Sequence, residues 1–409
     1  MASNTLLTIG MVTHEMLMHL KGNLAFTRGV SRQWESQFAQ TGAKIGAPLQ
    51  IRKTPKYAVQ SGAPFTAQNY IEEYVTLIIN QQKHVDVEFT SVEATLSLDD
   101  WSRRIGRPAA SRLAAEIDKD GLACYAQVAN SVLSPTAAAE KFYWYNVAHA
   151  LIMQEGGPQD GDYSVCLEPM EQAAVVNANR GLFQSSTQIK EQYEEGMMGR
   201  MAGATWYMDQ NVAAHTTGAR GGSPTMSAVA GQTGSSIATI AWTSAAAQRL
   251  RAGDVLQITG VYAVNPQTGQ STGRLRDFTV TANVNSDASG NATIPISPSI
   301  IISPDPRQTV SAAPAASAPL LFTGTAGTTY SQNLYFHKNA FTVAIVPMVM
   351  PESGSASRAS DDEFRASLRL WKDSVIATDT HPSRLDALYG WLCTMPECAV
   401  RIWSVPGVT

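Results

Sequence analysis

The stretch AGDVLQITGV, residues 252–261, lies beyond the middle of this 409-residue chain and predicts a half-buried β-strand that opens at a Gly-Asp turn. Farther along, FTVTANV (278–284) alternates apolar with polar residues, DASGN predicts a turn, and ATIPISP (292–298) predicts another strand. The inward-facing side chains of the last two strands are Phe278, Val280, Ala282, Val284, Ile294 and Ile296. These patterns predict an all-β segment over residues 236–325, set between regions of mixed helix and strand.

A stretch of small residues precedes the predicted strands. GARGGSPTMSAVAGQTGSS (218–236) is rich in Gly, Ser and Ala, a composition typical of flexible linkers. Its glycines lack the preceding strand and following helix that a phosphate-binding loop requires, so we interpret GARGGS as a hinge. We therefore expect residues 222–325 to form an autonomous β domain, inserted into its host through two flexible connections.

The composition limits the classes of partner. Charged residues make up only 16% of the chain, below the usual value of about 25%, so much of the surface must be neutral. A chain with few charges often meets other protein. The net charge of −4 and the pI near 6.0 argue against a protein that grips nucleic acid through phosphate contacts. Nucleic acid near this chain is expected to be contained without specific binding.

The four cysteines are scattered and form neither a disulfide scaffold nor a zinc-finger spacing, which predicts reduced thiols in a protein made in the cytoplasm. The N-terminal residues lack the basic start and apolar run of a signal peptide. The longest apolar run, VAIVPMVMP (343–351), is far shorter than the roughly 20 residues of a membrane span. We expect no membrane partner.

The remaining chain predicts helices, strands and one weakly packed arm. An amphipathic helix is expected over residues 5–21, and an extended arm over 22–68. VDVEFT (85–90) predicts a strand, with YIEEYVTLII (70–79) as its plausible partner. After Pro108, apolar residues spaced by four and seven predict one helix of about 25 residues, roughly 37 Å long. That helix is marked by Leu113, Ile117, Cys124, Val128 and Val132.

Four further elements are expected before the β segment. They are a helix around 136–153, a strand over 162–167, a helix over 168–180 and a helix within 186–208 that its glycines end.

A search for catalytic motifs finds little. HEMLMH (14–19) places His14 and His19 five residues apart, about 140° around a helix, so the two imidazoles cannot share a metal as they do in the zinc-protease motif. Neither a GxxxxGK[ST] phosphate loop nor a GxSxG nucleophile elbow occurs. The lone His215 is interpreted as structural. We therefore predict no catalytic, cofactor-binding or metal-binding residues, no cofactor and no enzymatic activity.

One charged segment has three open interpretations. LDDWSRRIGRPAASR (98–112) carries Asp99, Asp100, Arg103, Arg104, Arg107 and Arg112. These charges could form a nucleic-acid patch, a set of ion pairs and helix-terminus charges within the chain, or contacts with a neighbouring subunit.

Four long segments resemble one protein family. Residues 252–300 resemble the inserted β domain of the P22-like coat proteins of tailed bacteriophages. MAGATWYMDQNVAAHTTG (201–218) resembles the segment that leads into this insert, and QNLYFHKNAFTVAIVPM (332–348) and residues 358–391 resemble the C-terminal part of the same family. The matching segments lie within residues 190–403, whereas the first 100 residues match only in layout.

The resemblance implies an α+β chain with the HK97-like phage capsid fold and an inserted all-β, barrel-like domain. The implied divisions are an N-terminal arm (1–45), an extended loop (46–83), a peripheral domain with the long helix (84–135), an axial domain (136–217), the inserted β domain (222–325) and an axial/peripheral return segment (330–409).

The same resemblance implies a major capsid protein that self-assembles into the icosahedral shell around the phage genome, commonly with triangulation number seven. The implied partners are copies of the chain in hexamers and pentamers, a scaffolding protein, a portal at one vertex and enclosed double-stranded DNA; a decoration protein stays open. The implied location is the virion, after synthesis in the host bacterial cytoplasm.

Two other classes are weaker. An encapsulin-like nanocompartment shell shares the fold but lacks the β insert, and a β-rich adhesin fits neither the long helix nor the absent signal peptide.

The candidate contact residues between subunits are drawn from two charged clusters. Residues 46–68 have low apolar periodicity and carry Arg52, Lys53 and Lys56 beside Pro55, which predicts an arm that acts between subunits. The second cluster comprises Asp99, Asp100, Arg103, Arg104 and Arg107. We also expect the outer loop NPQTGQSTG (265–273) of the β insert to reach a neighbouring capsomer.

Overall fold

The computed structural model describes residues 9–33, 48–57, 62, 72–90, 105–134, 141–179, 200–352, 354–361 and 364–405, without the side chains of Phe89 and Thr90. Several predictions fall outside these residues: the start of the first helix, most of the arm over 22–68, and the stretch 186–199. Four candidate contact residues also lie outside: Asp99, Asp100, Arg103 and Arg104.

The helices are α1 Ile9–Asn23, α2 Arg107–Leu122, α3 Lys141–Gln154 and α4 Pro169–Asn179. The strands of the first half are β1 Leu49–Arg52, β2 Tyr74–Leu77, β3 Gln81–Thr90, β4 Ser131–Leu133, β5 Tyr163–Leu167, β6 Arg200–Met201, β7 Ala204–Met208 and β8 Ala214–Thr216. The next are β9 Gly222–Met226, β10 Gly234–Trp242, β11 Ala247–Leu250, β12 Val255–Val264, β13 Ser271–Val280, β14 Val284–Ser286, β15 Ala292–Ile300 and β16 Leu320–Phe322. The last are β17 Thr329–His337, β18 Phe341–Val346, β19 Ser355–Asp361, β20 Ala366–Lys372, β21 Thr380–Cys393 and β22 Ala399–Ser404.

The chain forms two compact units. The first comprises the described residues of Met1–Ile51, Val75–Gly121 and Phe341–Leu392. Its sheet runs in the order β18-β21-β20-β19, and β3 pairs with β21 along ten residues. Helix α1 packs on β19 and β20. Its buried residues recur every three to four positions, which gives the helix one apolar face: Val12, Thr13, Met16, Leu17 and Leu20.

The second unit comprises the described residues of Arg52–Tyr74, Leu122–Ala340 and Cys393–Thr409. Its host sheet runs β4-β22-β17-β5-β7-β6, with β8 also paired to β17. Strand β5 pairs with β7 in parallel, as β4 does with β22, and β17 is antiparallel to its neighbours. Helix α3 packs on β22, so one face of the sheet is covered. The core between them includes Tyr145, Ile152, Tyr335, Val400 and Ile402.

A second sheet of this unit lies entirely within residues 222–325. Its order is β16-β12-β13-β15-β10-β9, and a separate β11–β14 pair flanks it. The two edge strands also meet, because the Met226 N–H donates to the Ala318 carbonyl at 2.8 Å and Thr225 forms a bridge with Pro319. The sheet therefore closes on itself as a barrel does. Its interior includes Trp242, Leu256, Ile258, Phe278, Ile294 and Ile296.

The alternation predicted for 278–284 is interrupted. Phe278 and Val280 end β13 and are buried, and Val284 begins β14 and is buried. Ala282 lies in the bend between these strands and is exposed, so its predicted inward position is wrong. Thr281 still donates its N–H to the Pro295 carbonyl, in register with the β13–β15 pairing, and the chain bends after it.

Residues 218–236 do not form the flexible linker that their composition predicts. Residues Gly222–Met226 form edge strand β9, and β10 begins at Gly234. Small residues are needed here for close approach: a Cβ on Gly218 would collide with the Arg249 carbonyl, and one on Gly222 would lie 2.5 Å from the Ala241 carbonyl. Glycine composition alone cannot distinguish flexibility from close packing.

The predicted long helix is shorter than expected. Helix α2 has 16 residues, about 24 Å, and gives way to a 3₁₀ segment, Ala123–Gln127. Val132 belongs to β4, where it pairs with Ile402. A Cβ added to Gly121, near the end of α2, would lie within 3 Å of the Trp391 indole. The missing side chain of Gly121 therefore leaves room for this ring. The helical spacing of apolar residues therefore continues from α2 to β4, although the backbone changes from helix to strand.

One pairing prediction and one further helix prediction are wrong. Strand β3 has the predicted alternation but pairs with Thr380–Tyr389, and β2 pairs with β1. Leu77 and Ile79 are instead buried with Ile51 and Leu388. The helix expected within 186–208 is absent from its described part, because Ala204–Met208 is a strand beside β5. The strand at Tyr163–Leu167 and the helix at Pro169–Asn179 are as predicted.

None of the helices in the described ranges is both long and apolar enough to cross a membrane. All four cysteines lie in the described residues, are buried and form no disulfide: Cys124, Cys166, Cys393 and Cys398.

Candidate functional site

The predicted basic cluster lies where the chain enters the second unit. Arg52 and Lys56 are exposed and Lys53 is half-buried. The Arg52 guanidinium lies 3.5 Å from the Glu72 carboxylate, and the Lys53 N–H donates to the Glu73 carbonyl at 2.8 Å. The cluster is thus held by a short pairing with residues 72–73, and its charged ends face outward.

Glu73 also connects this cluster to the β segment. Arg307, in the loop after β15, lies 3.0 Å from Glu73 and makes a bidentate pair with Asp305. The two pairs raise the pKa of Arg307, first through the hydrogen bond to Asp305 and then through that to Glu73. Residues 52–57 and the loop around Arg307 therefore form one charged surface that sequence spacing could not reveal.

Arg107, the described member of the second charged cluster, contacts its own chain. It begins α2, and its guanidinium donates two hydrogen bonds to Glu15 of α1, at 2.8 and 3.2 Å. Farther along α2, Glu116 accepts from Arg112 and Lys119 at i,i+4 and i,i+3 spacing. In the described part of this segment, residues 105–112, the structure contains ion pairs within the chain. A contact between subunits stays a prediction.

His, Cys, Asp and Glu are the side chains of the described residues that most often bind metals. No group of three or more His, Cys, Asp or Glu among them could hold a metal ion. Burial raises the pKa of Cys398 to about 12 and that of Cys393 well above its usual value. Because the thiolate is the reactive form, these two cysteines are poor nucleophiles.

A polar joint that the sequence did not reveal connects the closed β sheet to the host sheet. Its centre is Asp254, the aspartate of the AGDVLQITGV stretch, whose side chain is fully buried. Asp254 Oδ1 lies 2.8 Å from His215 Nε2, and Oδ2 accepts from the N–H groups of Gly218 (3.1 Å) and Arg251 (3.0 Å). The other imidazole nitrogen of His215 lies 3.2 Å from the Tyr125 hydroxyl. Host and β segment therefore share one buried hydrogen-bond network.

Arg401 provides a buried cation on the host side of the joint. Its guanidinium donates to the Gly253 carbonyl at 2.8 Å and lies over the rings of Tyr125 and Trp403. Burial lowers the pKa of Arg401 to about 10, while Tyr125, Asp254 and Asp277 act in the opposite direction. The side chain stays charged at neutral pH, and the carboxylates near it offset the cost of that buried charge.

A second row of contacts lies along β13. Asp277 accepts the N–H of Ser131 at 3.1 Å, Thr279 donates to the Ala126 carbonyl at 2.9 Å, and Arg276 pairs with Glu155. All three side chains of β13 are buried. The β segment is therefore joined to the host along a strand as well as at Asp254.

Weak sequence signals of this joint existed. Arg401 is a lone charge in the apolar run AVRIWS, a position where a charge is almost never buried unless it is paired. Asp254 directly precedes β12, whose first two residues are apolar. The interpretation of His215 as structural agrees with its burial and its two partners. Which of these residues meet could not be known, because 147 positions separate Asp254 from Arg401.

Solved structures similar to this chain include three from phages and phage-like particles. A chain of Mycobacterium phage Che8 is 12% identical, with a TM-score of 0.47, covering 93% of this chain and 90% of that one. A chain of the capsid of Ralstonia phage GP4 is 7% identical, with a TM-score of 0.46 and coverages of 94% and 90%. A chain of the capsid of an empty GTA particle is 8% identical, with a TM-score of 0.42 and coverages of 99% and 94%. None of the three is more than 12% identical to this chain.

Curated protein sequences include none that matches the chain. The family described as "P22 coat protein - gene protein 5" matches residues 1–402, nearly the whole length. The match extends the resemblance seen after residue 190 to the N-terminal half, where sequence patterns agreed only in layout. The chain belongs to the P22 coat protein family of phage capsid proteins.

Proposed function

We propose that this major capsid protein assembles as hexamers and pentamers into a closed icosahedral shell around double-stranded phage DNA. The observation that carries the proposal is the family match over residues 1–402. It supports a phage capsid over an encapsulin-like compartment. A scaffolding protein, a portal at one vertex, synthesis in the host cytoplasm and a triangulation number of seven belong to the same proposal.

We propose that the chain has no catalytic activity and contains DNA without binding it specifically. The net charge of −4 and the absence of a metal cluster from the described residues support this proposal. Purified subunits should leave the mobility of a DNA duplex unchanged at 0.15 M salt, whereas filled particles should protect DNA from nuclease. Tight binding by free subunits at this salt concentration, or a preference for one DNA sequence, would contradict the proposal.

We propose that the exposed cluster Arg52, Lys53 and Lys56 contacts a neighbouring subunit in the shell. Two of these cations face outward, and the pairing with residues 72–73 gives the cluster a defined position. Asp99, Asp100, Arg103, Arg104 and Arg107 stay candidates for the same role.

The experiment that tests the assembly proposal compares the full chain expressed alone and with the scaffolding protein of the same phage. Sedimentation velocity should show particles of uniform, very large size with the scaffold, and fewer or irregular particles without it. Only small species under both conditions would contradict the proposal.

A further inference from the structure

The connections between the host sheet and the β segment are hydrogen-bonded to each other. Thr217, on the entering side, donates its hydroxyl to the Thr325 carbonyl at 2.6 Å, and the Gly327 N–H donates to the Gly218 carbonyl at 3.2 Å. The Arg220 guanidinium reaches across to the carbonyls of Thr323 (2.7 Å) and Gly324 (2.8 Å). The entering and leaving connections therefore form one stem, and whatever holds the entering strand holds both.

Asp254 connects this stem to the two bodies on either side of it. One of its oxygens meets His215, on host strand β8, and the other meets the Gly218 N–H in the stem. Its backbone belongs to the β segment, directly before β12. A single carboxylate thus contacts host, stem and β segment, in a place that water does not reach.

The chemistry of this site favours a carboxylate over any neutral side chain. Oδ2 accepts from two backbone N–H groups, and Oδ1 accepts from His215 in the tautomer that carries the proton on Nε2. Hydrogen bonds to an ionised acceptor are stronger than those between neutral groups. With that tautomer, an asparagine would turn its NH₂ group toward one set of these donors, so a buried donor would lose its acceptor. Gly253 completes the site at a φ of +95°, where a Cβ would lie 3.2 Å from the His215 ring.

We infer that Asp254 is the positioning residue that fixes the β segment on the host sheet through His215 and the Gly218 stem. The β segment holds its own core and closed sheet without this residue, so loss of the carboxylate should loosen the joint and leave the barrel folded. The inference concerns the single chain and goes beyond shell formation.

Hydrogen exchange on the full, unassembled chain tests the inference. In Asp254→Asn we expect the amides of Gly218 and Arg251 to exchange about 10- to 100-fold faster, as for the loss of a hydrogen bond to a charged group. The amides that pair β10 with β15 should keep their protection. Asp287→Asn is the matched control, because Asp287 caps an exposed turn of the same segment and accepts from Ser289 and Asn291. It should change exchange only in that turn.

Two substitutions of His215 keep the test decisive if Asp254→Asn does not fold. His215→Ala removes one donor and should speed exchange at Gly218. His215→Gln, whose amide can still donate to Asp254, should restore most of the protection. Unchanged exchange at Gly218 in all three variants would overturn the inference. Equal acceleration in the stem and in the β10–β15 pairs would overturn it too, because the segment and its host would then open as one block.

Discussion

Two buried aspartates each hold backbone in place, one in each unit. Asp254 does so at the joint, and Asp118 of α2 accepts the N–H groups of Ala25, Phe26 and Thr27, at 2.6, 3.2 and 3.1 Å. The Thr27 hydroxyl also donates to Asp118, at 2.5 Å. These hydrogen bonds give the backbone N–H groups that follow α1 an acceptor. The Asp118 carboxylate thus has the role that an N-cap side chain has at the start of a helix.

Asp118→Ala should lower the free energy of unfolding of the first unit by about 2–4 kcal/mol, because several buried donors lose their acceptor at once. Urea denaturation followed by circular dichroism would measure the loss. Lys119→Ala, one residue along on the exposed face, should change the stability by less than about 0.5 kcal/mol. Equal effects of the two substitutions would mean that the Asp118 bonds contribute nothing.

Charge reversal of Lys53 and Lys56 tests the proposed contact between subunits. Lys53→Glu with Lys56→Glu should leave the circular dichroism of the subunit unchanged and block or misdirect assembly, since juxtaposed like charges cost several kcal/mol. The control reverses two exposed cations elsewhere, Arg251→Glu with Lys338→Glu. Normal shells at normal yield from the first variant would contradict the proposal.

At the scale of elements, local patterns predicted strands better than they predicted connections. Ile294 and Ile296 are buried as their alternation indicates, and β5 and α4 lie where expected. The end of α2 was missed because Cys124, Val128 and Val132 keep a helical spacing while the backbone changes to 3₁₀ and strand. The partner of β3 was missed because about 300 positions separate it from β21, and alternation carries no information on partners.

Substitution of Gly218 tests whether the entering connection is a packed stem or a flexible linker. Gly218→Ala should cost about 1–3 kcal/mol of stability, as overpacking does, because the added Cβ meets the Arg249 carbonyl. Thermal denaturation would measure the cost. Gly22→Ala, at a helical position with open space around it, should be neutral or stabilise by about 0.5–1 kcal/mol. A neutral Gly218→Ala would restore the linker interpretation.

Residues 222–325 should also fold when expressed alone, since they contain a closed sheet with its own apolar core. A dispersed NMR spectrum and a cooperative melt are the expected results. Replacement of the same residues by a short Gly-Ser linker should destabilise the host, because its contacts with Asp254, Asp277 and Thr279 are lost. An unstructured fragment would show that the segment depends on the joint for its fold.

At the scale of the whole molecule, function was predictable and the grouping of segments was not. Long matching segments and a neutral composition indicated a capsid protein, and the family match agrees with both. The sequence did not indicate that residues 52–74 belong to the same unit as the β segment. The ion pair between Glu73 and Arg307 is one contact that joins them. Shell subunits need broad contacts repeated by symmetry, so individually weak surfaces suffice. The predicted domain boundaries stay predictions.

Electron cryomicroscopy of the full chain expressed with its scaffolding protein tests the central claim most directly. The capsid assignment predicts closed icosahedral shells in which this chain is the repeated subunit. The β segment should be resolved on each copy, in one orientation relative to its host sheet. Fields that contain only monomers or small oligomers, at high protein concentration and with the scaffold present, would contradict it.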